Sequence, residues 1–193
     1  MTDPINSPNA SDNADSRSDD PAQPKACIAL IGYRGCGKTT VAREIAAITG
    51  AAFVDTDEEI TRCAGRSIAE IFATDGEAAF RRMEAEVIAR TVDSPPKAIS
   101  VGGGAILDQI NIARLRRVAT VVYLTAEPEE LWRRVSADFT TDTSRPALTP
   151  LAGPEEVRKV LTQRAPLYER AADFMVDTMS KTPRQVAHEI LQK

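Results

Sequence analysis

The sequence is poor in the residues that staple small proteins or bind metals. Its 193 residues include three cysteines, Cys27, Cys36 and Cys63, and one histidine, His188. The cysteines are odd in number, lack CxxC spacing and have no histidine nearby, which excludes a disulfide scaffold and a zinc module. Thiols in this pattern suit a reducing compartment, so the chain is expected to be cytoplasmic. No apolar run approaches the ~20 residues that a membrane helix needs. Neither sign of charge dominates, with 24 Lys+Arg against 28 Asp+Glu and a net charge of −4. That balance argues against bulk binding to nucleic acid or to an anionic membrane.

What is present suffices for one domain with a tail, at ~150 residues per domain. The 42% hydrophobic content is ordinary for a globular chain that needs no staples. Residues 1–24 carry only Met1, Ile5, Ala10, Ala14 and Ala22 as hydrophobic positions, too few to offset chain entropy. Through Lys25 the segment holds five aspartates against Arg17 and Lys25. It is neither a secretory signal nor an Arg-rich transit peptide. Residues 1–25 are therefore expected to form a disordered acidic tail, and residues 26–193 the domain.

From residue 26 the pattern changes to a continuous small-apolar run through Ile31, as in a buried parallel strand. A glycine-rich turn follows, then helical spacing of Val41, Ile45, Ala46 and Ile48 up to a stop at Gly50. Further strands are expected at 51–54, 98–101, 120–124 and 174–176. Helices are expected at 58–64, from Ser67 to an interruption at Asp75-Gly76, and at 77–91, 108–117, 127–135, 154–168 and 183–191. Ser67 and Glu70 form a capping box. Residues 136–153, polar and broken by prolines, read as a mobile loop. Strands alternating with helices imply an α/β fold, a parallel sheet covered on both faces.

Gly32-Tyr33-Arg34-Gly35-Cys36-Gly37-Lys38-Thr39 matches GxxxxGK[ST] between a predicted strand and a predicted helix, the context that motif requires. Its glycines let backbone N–H groups turn inward as an anion nest at a helix N-terminus. Gly35, Cys36, Gly37 and Thr40 belong to this phosphate cradle. Lys38 would reach the β- and γ-phosphates and Thr39 would hold Mg²⁺. A turn that merely joins strand to helix explains fewer of these features.

Asp55-Thr56-Asp57 leaves the second strand at the carboxyl edge of the sheet, where open α/β folds bind ligands. One carboxylate can face a metal and its waters, the other a substrate hydroxyl. The plainer alternative is capping of the next helix. Phe80-Arg81-Arg82-Met83-Glu84 reads by default as a charged helix face with Phe80 inward. Gly102-Gly103-Gly104 after a strand is best explained by a ligand close to the backbone. Trp132, with Leu131 and Val135, reads as helix core, and His188 as a surface or packing residue. Cys36 reads as a small side chain tolerated in the nest.

With Gly65-Arg66-Ser67-Ile68, Gly76-Glu77, Arg145-Pro146 and Arg164-Ala165-Pro166-Leu167-Tyr168 added, the ordered set of motifs resembles the shikimate kinase family over residues 26–192. The resemblance implies a P-loop, nucleoside-monophosphate-kinase-like fold with a five-stranded parallel sheet and a closing lid. It implies ATP-dependent phosphorylation of the 3-hydroxyl of shikimate, Mg²⁺ as cofactor, and a monomer. By motif position, Asp57, Arg81, Arg164 and Gly102 to Gly104 would bind shikimate, the two arginines taking its carboxylate. Asp57, Lys38 and the lid residue Arg145 would be catalytic, and Asp55 would order the Mg²⁺ shell through water opposite Thr39. The arginine that stacks on adenine falls on Arg133 or Arg134, with Arg134 favoured, and Pro183 lies near the base. The stretch between Arg134 and Arg145 is longer than the family's usual lid. A gluconate-type kinase would need the P-loop but not Arg81, the glycines and Arg164. A non-catalytic nucleotide-binding module would not need Lys38, Thr39, Asp57 and Arg145 together.

Overall fold

The computed structural model describes Lys25, residues 27–137 and residues 153–193. Five strands, β1 (Cys27–Ile31), β2 (Phe53–Asp55), β3 (Ala98–Ser100), β4 (Ala119–Thr125) and β5 (Phe174–Asp177), form one sheet in the order β2-β3-β1-β4-β5. Every pairing is parallel. The helices are α1 (Lys38–Thr49), α2 (Thr56–Ala64), α3 (Ile68–Asp93), α4 (Gln109–Val118), α5 (Pro128–Ala137), α6 (Pro154–Ala171) and α7 (Pro183–Leu191).

The central strand shows why this sequence needs cover on both faces. Successive side chains of a strand point to opposite sides, and all five residues of β1 are buried. Ile28 and Leu30 join a core with Val41 and Ile45 of α1, Val157 and Val160 of α6, and Val186 and Ile190 of α7. Cys27, Ala29 and Ile31 join the opposite core, with Ile88 and Val92 of α3, Leu115 of α4, and Tyr168 and Ala171 of α6. Helix α6 thus contributes its first half to one core and its second half to the other. A satellite cluster of Ile60, Ile68, Ile71, Phe80 and Val87 joins α2 to α3. Trp132 packs against the first core and His188 is exposed.

Local signals account for most boundaries. Gly50 closes α1 in the left-handed region, and the Ser67–Glu70 capping box opens α3. At Gly76, φ 78° and ψ 172° break the helical path inside α3, as the Asp75-Gly76 pair implies. Several expected bounds need correction: α2 begins at Thr56 rather than 58, and α6 runs on to Ala171 rather than ending at 168. The second strand lies at Phe53–Asp55 rather than 51–54, because Asp55 is still extended when it pairs with Ser100. Ser136 and Ala137 belong to α5 rather than to the loop, since Ser136 returns its hydroxyl to the Trp132 carbonyl within the helix. The rest of the expected lid, residues 138–152 with Arg145, and the tail, residues 1–24, lie outside the described residues. Among the described residues no helix is long and apolar enough to cross a membrane.

Two glycines with positive φ separate conformational from steric need. Gly50 has φ +67° and open space where a Cβ would stand, whereas a Cβ on Gly32 (φ +141°) would lie 2.6 Å from the Leu124 carbonyl oxygen and 2.9 Å from Cys36 Sγ. Gly50→Ala should cost about 1 kcal/mol, the penalty for a left-handed L-residue. Gly32→Ala should cost roughly 3 kcal/mol, because backbone must move as well. Urea unfolding of both variants checks the order; equal losses would contradict it.

Candidate active site

Parallel strands deliver their carboxyl ends to one edge, and the order β2-β3-β1 sets three loops side by side there. The loop after β1 is the phosphate-binding motif. Gly35 and Gly37 take positive φ, and Gly37 stands at the N-cap of α1. Lys38 is buried, its ammonium donating to the carbonyls of Gly32 at 2.9 Å and Tyr33 at 3.0 Å. The lysine is thus folded back on its own loop. Cys36 is buried, with its Sγ 3.9 Å from Lys38 Nζ. A Cβ on Gly35 would lie 2.9 Å from Val135 Cγ2 and 3.0 Å from the Leu131 carbonyl oxygen, so the loop rests directly on α5.

Asp55 serves two neighbours. Its Oδ1 accepts from the N–H groups of Asp57 at 2.9 Å and Glu58 at 3.3 Å, capping α2, while its Oδ2 accepts from the Thr39 hydroxyl at 2.6 Å. Ser100, which the motif reading did not single out, lies 3.3 Å from the same hydroxyl. Hard oxygen donors of this kind suit Mg²⁺, which keeps several waters and takes other ligands from phosphates. The described residues contain no cluster of three or more His, Cys, Asp or Glu side chains able to hold a metal by themselves. Capping, the plainer reading of the Asp55-Thr56-Asp57 segment, holds for Asp55, whose other carboxylate oxygen meets Thr39.

The triple glycine is explained by its neighbours. None of the three has positive φ, so conformational freedom is not the reason. A Cβ on Gly102 would meet Asp57 Oδ1 at 2.8 Å and Glu84 Oε1 at 2.9 Å, one on Gly104 would meet Arg81 Nη2 at 2.6 Å, and one on Gly103 would meet the Gly32 carbonyl oxygen at 3.3 Å. The groups that approach Gly102 and Gly104 most closely are the protein's own charged side chains. Thr56, fully buried, accepts the Gly102 N–H at 2.9 Å, and the carbonyl of Gly103 accepts Tyr168 Oη at 2.5 Å and Arg164 Nη1 at 3.4 Å.

Two recesses result. A cleft of about 1220 Å³ is lined by the phosphate loop, Asp55, Asp57, Ser100, Arg133, Arg134 and Pro183. A smaller pocket beside it is lined by Asp57, Phe80, Arg81, Glu84, Gly103, Gly104 and Arg164, with Tyr33 and Arg34. Asp57 and Arg34 line both. Both arginines pair with Glu130 at 2.7 Å, but Arg134 also donates to the Gly35 carbonyl at 3.4 Å and to Thr178 Oγ1 at 3.0 Å, whereas Arg133 is mostly exposed. Of the two arginines left open by the motifs, Arg134 is the one joined to the phosphate loop.

Glu84 was read only as part of a charged face, yet its side chain is 2% exposed. Its Oε2 accepts from Arg81 Nη1 at 2.7 Å, and its Oε1 is buried without a hydrogen-bond partner among the described residues. Burial outweighs Arg81, and with Asp57 adding to the rise the carboxyl is pushed up to about 7. The signal in sequence was its spacing, three residues after Arg81 on one helical face.

An acid whose pKa is raised on folding is held more tightly as the neutral form in the native state than in the unfolded chain. Its contribution to stability is present below pH ~4.5 and is lost as pH rises towards 7. Relative to Glu84→Gln, the wild type should lose about 2 kcal/mol more between pH 5.5 and 8.5, at ~1.4 kcal/mol per pH unit over the window. Urea unfolding at both pH values measures this; parallel losses in the two proteins would show that Glu84 is ionised throughout.

Comparison with known proteins places these features. The family model described as shikimate kinase matches residues 34–193. The chain is 39% identical over 163 residues to the shikimate kinase of Rhodopirellula baltica, covering 84% of this chain and 87% of that one. It is 41% identical over 164 residues to shikimate kinase 2 of Sodalis glossinidius, covering 85% and 92%. Among solved structures, the shikimate kinase from Acinetobacter baumannii in complex with shikimate superposes with a TM-score of 0.80 at 35% identity, covering 86% of this chain and 91% of that one. The Aquifex aeolicus enzyme gives 0.70 at 29% identity, covering 86% and 94%. A P-loop beside a pocket of opposed carboxylates and arginines, on a five-stranded parallel sheet, thus occurs in a chain that belongs to the shikimate kinase family, whose reaction is ATP-dependent phosphorylation of shikimate.

Proposed function

We propose that the larger cleft takes ATP with Mg²⁺, that the smaller pocket takes shikimate, and that the γ-phosphoryl group passes to the 3-hydroxyl between them. The observation that carries this reading is the position of Asp57 on both recesses. Its Oδ1 faces Gly102 beside the glycine wall of the pocket. As the new O–P bond forms and the bond to ADP breaks, Asp57 orients the hydroxyl and accepts its proton, giving 3-phosphoshikimate and ADP. A loose phosphoryl-transfer transition state asks mainly for positioning and charge neutralisation.

Lys38 supplies a cation at the phosphate nest, and Gly35, Cys36, Gly37, Thr39 and Thr40 present the loop and first helical turn to the phosphates. Thr39 and, through water, Asp55 would hold Mg²⁺, which when bound neutralises charge on the phosphates. Arg134 and Pro183 border the nucleotide cleft on the adenine side. Arg145 is assigned to the phosphates by its motif alone, since it lies outside the described residues. Residues 1–25 form an extension with no part in the chemistry, and the catalytic unit acts as a cytoplasmic monomer.

Guanidinium forks suit a planar carboxylate. The two arginines assigned to it are not equal. Arg81 is already bonded to Glu84 and, at 3.1 Å, to Glu77, whereas Arg164 is hydrogen-bonded to a neutral carbonyl. Arg164 therefore holds the more available charge and serves as the main counter-ion of the substrate.

ADP release by the purified protein should require shikimate, and gluconate should not replace it; turnover with gluconate alone would refute the assignment. Removing one member of a buried charge pair costs ~2–5 kcal/mol, or roughly thirty- to a few thousand-fold in kcat/KM. Arg164→Ala should fall near the upper end and Arg81→Ala near the lower, with ATP affinity unchanged. Shikimate methyl ester, which has no charge to pair, should lose much less in both variants. Equal losses for acid and ester would make the arginines structural.

A further inference from the structure

Arg34 lies in the phosphate-binding loop and Glu156 in the first turn of α6, 122 residues away. Arg34 Nη2 donates to Glu156 Oε2 at 3.1 Å, with the two side chains 12% and 5% exposed. Stability alone is a poor explanation for the pair. Both charges are desolvated, and a buried ion pair often contributes no more than apolar residues of the same size would. Arg34 Nε is also buried without a hydrogen-bond partner among the described residues, which carries its own cost. The location of the pair is more informative.

Arg34 borders both the nucleotide cleft and the shikimate pocket. Its Cζ lies 5.7 Å from the ring centroid of Tyr33, another residue of the loop. Helix α6 begins at Glu156's end against one face of the sheet and ends against the other, and two turns beyond Glu156 it carries Arg164, docked on the Gly103 carbonyl. Gly103 in turn sits against the loop, where an added Cβ would reach the Gly32 carbonyl oxygen at 3.3 Å and Arg34 N at 3.9 Å. One helix therefore grips the phosphate loop at its N-terminal end and the substrate pocket at its middle.

We propose that Glu156 is a positioning residue which, through Arg34, joins the phosphate-binding loop to the helix carrying Arg164, so that nucleotide and shikimate each favour binding of the other. The proposal rests on the assignment of the two recesses given above. A shift of α6 that brings Arg164 onto the substrate carboxylate is transmitted by Glu156 to the loop that holds the phosphates. The coupling must be reciprocal, because it is a free energy shared between two sites.

Calorimetric titration of the full chain with shikimate, with and without saturating Mg²⁺ and the β,γ-imido analogue of ATP, tests it in four proteins: wild type, Glu156→Gln, Arg34→Gln and the double variant. In the wild type the analogue should tighten shikimate binding by about fivefold or more, the lower end of ordinary coupling. In both single variants and the double variant that ratio should fall to twofold or less. Melting temperature separates this from a structural role. It should drop in Glu156→Gln, where Arg34 is left as a buried uncompensated cation, and recover in the double variant, while the coupling stays lost. A wild-type ratio near one, an unchanged ratio in Glu156→Gln, or coupling that returns together with the melting temperature in the double variant would overturn the proposal. If the single variants do not fold, the double variant alone decides. Absence of shikimate binding to the wild type under both conditions would overturn the substrate assignment itself, and the proposal with it.

Discussion

Three side chains of opposite charge meet at the end of β3 because that stretch of backbone carries no side chains of its own. Asp57 comes from the segment after β2, and Glu84 and Arg81 from one face of α3. All three come closer than van der Waals contact would allow to where a methyl group on Gly102 or Gly104 would stand. The parallel sheet fixes this convergence, since its order sets the end of β3 between those of β2 and β1. Without that close approach the pocket would have no floor, and Asp57 would be held away from the cleft that faces the phosphate loop.

The site uses several interactions twice. Asp55 starts α2 with one oxygen and meets Thr39 of the phosphate loop with the other, so initiation of a helix and arrangement of the nucleotide site depend on one carboxylate. Gly103 accepts both Tyr168 and Arg164 from α6, and Tyr168 stacks on Tyr123 of β4, with centroids 4.9 Å apart. Arg164 is therefore tied to the second core through its own helix. Across the smaller pocket, Arg81 and Arg34 face carboxylates while Arg164 faces a carbonyl.

Much of this was readable from the chain. The P-loop, the capping box at Ser67, the break at Gly76 and the helix at Pro183 are local in origin, set by φ preference or side-chain capping within four residues, and the structure has them where the pattern put them. What escaped was non-local or silent in pattern. Glu84 looked like surface because a charged residue after Arg81 and Arg82 usually is; its burial depends on Gly102, eighteen residues away. Ser100 and Thr56 are small polar residues whose side-chain partners, Thr39 of α1 and the Gly102 N–H, come from distant segments. Arg34 and Glu156 gave no signal at all, since nothing in either neighbourhood announces a contact between a loop and a helix so far apart in sequence. The triple glycine was recognised as a point of close approach, but the approaching groups proved to include the protein's own carboxylates and guanidinium.

The central claim is that missing side chains after β3 assemble the substrate pocket, and Gly104→Ala tests it most directly. The colliding atoms belong to the flexible end of Arg81, so the fold can yield at little cost while Arg81 is displaced. A displacement of about 1 Å in a positioning group can cost around a hundredfold in rate. The account predicts a melting temperature and ATP affinity close to wild type, with kcat/KM for shikimate reduced by about two orders of magnitude, more than for Arg81→Ala because the added methyl also enters the pocket that Gly104 lines. Wild-type kinetics with shikimate, or a loss of ATP binding in parallel with the loss of turnover, would contradict it.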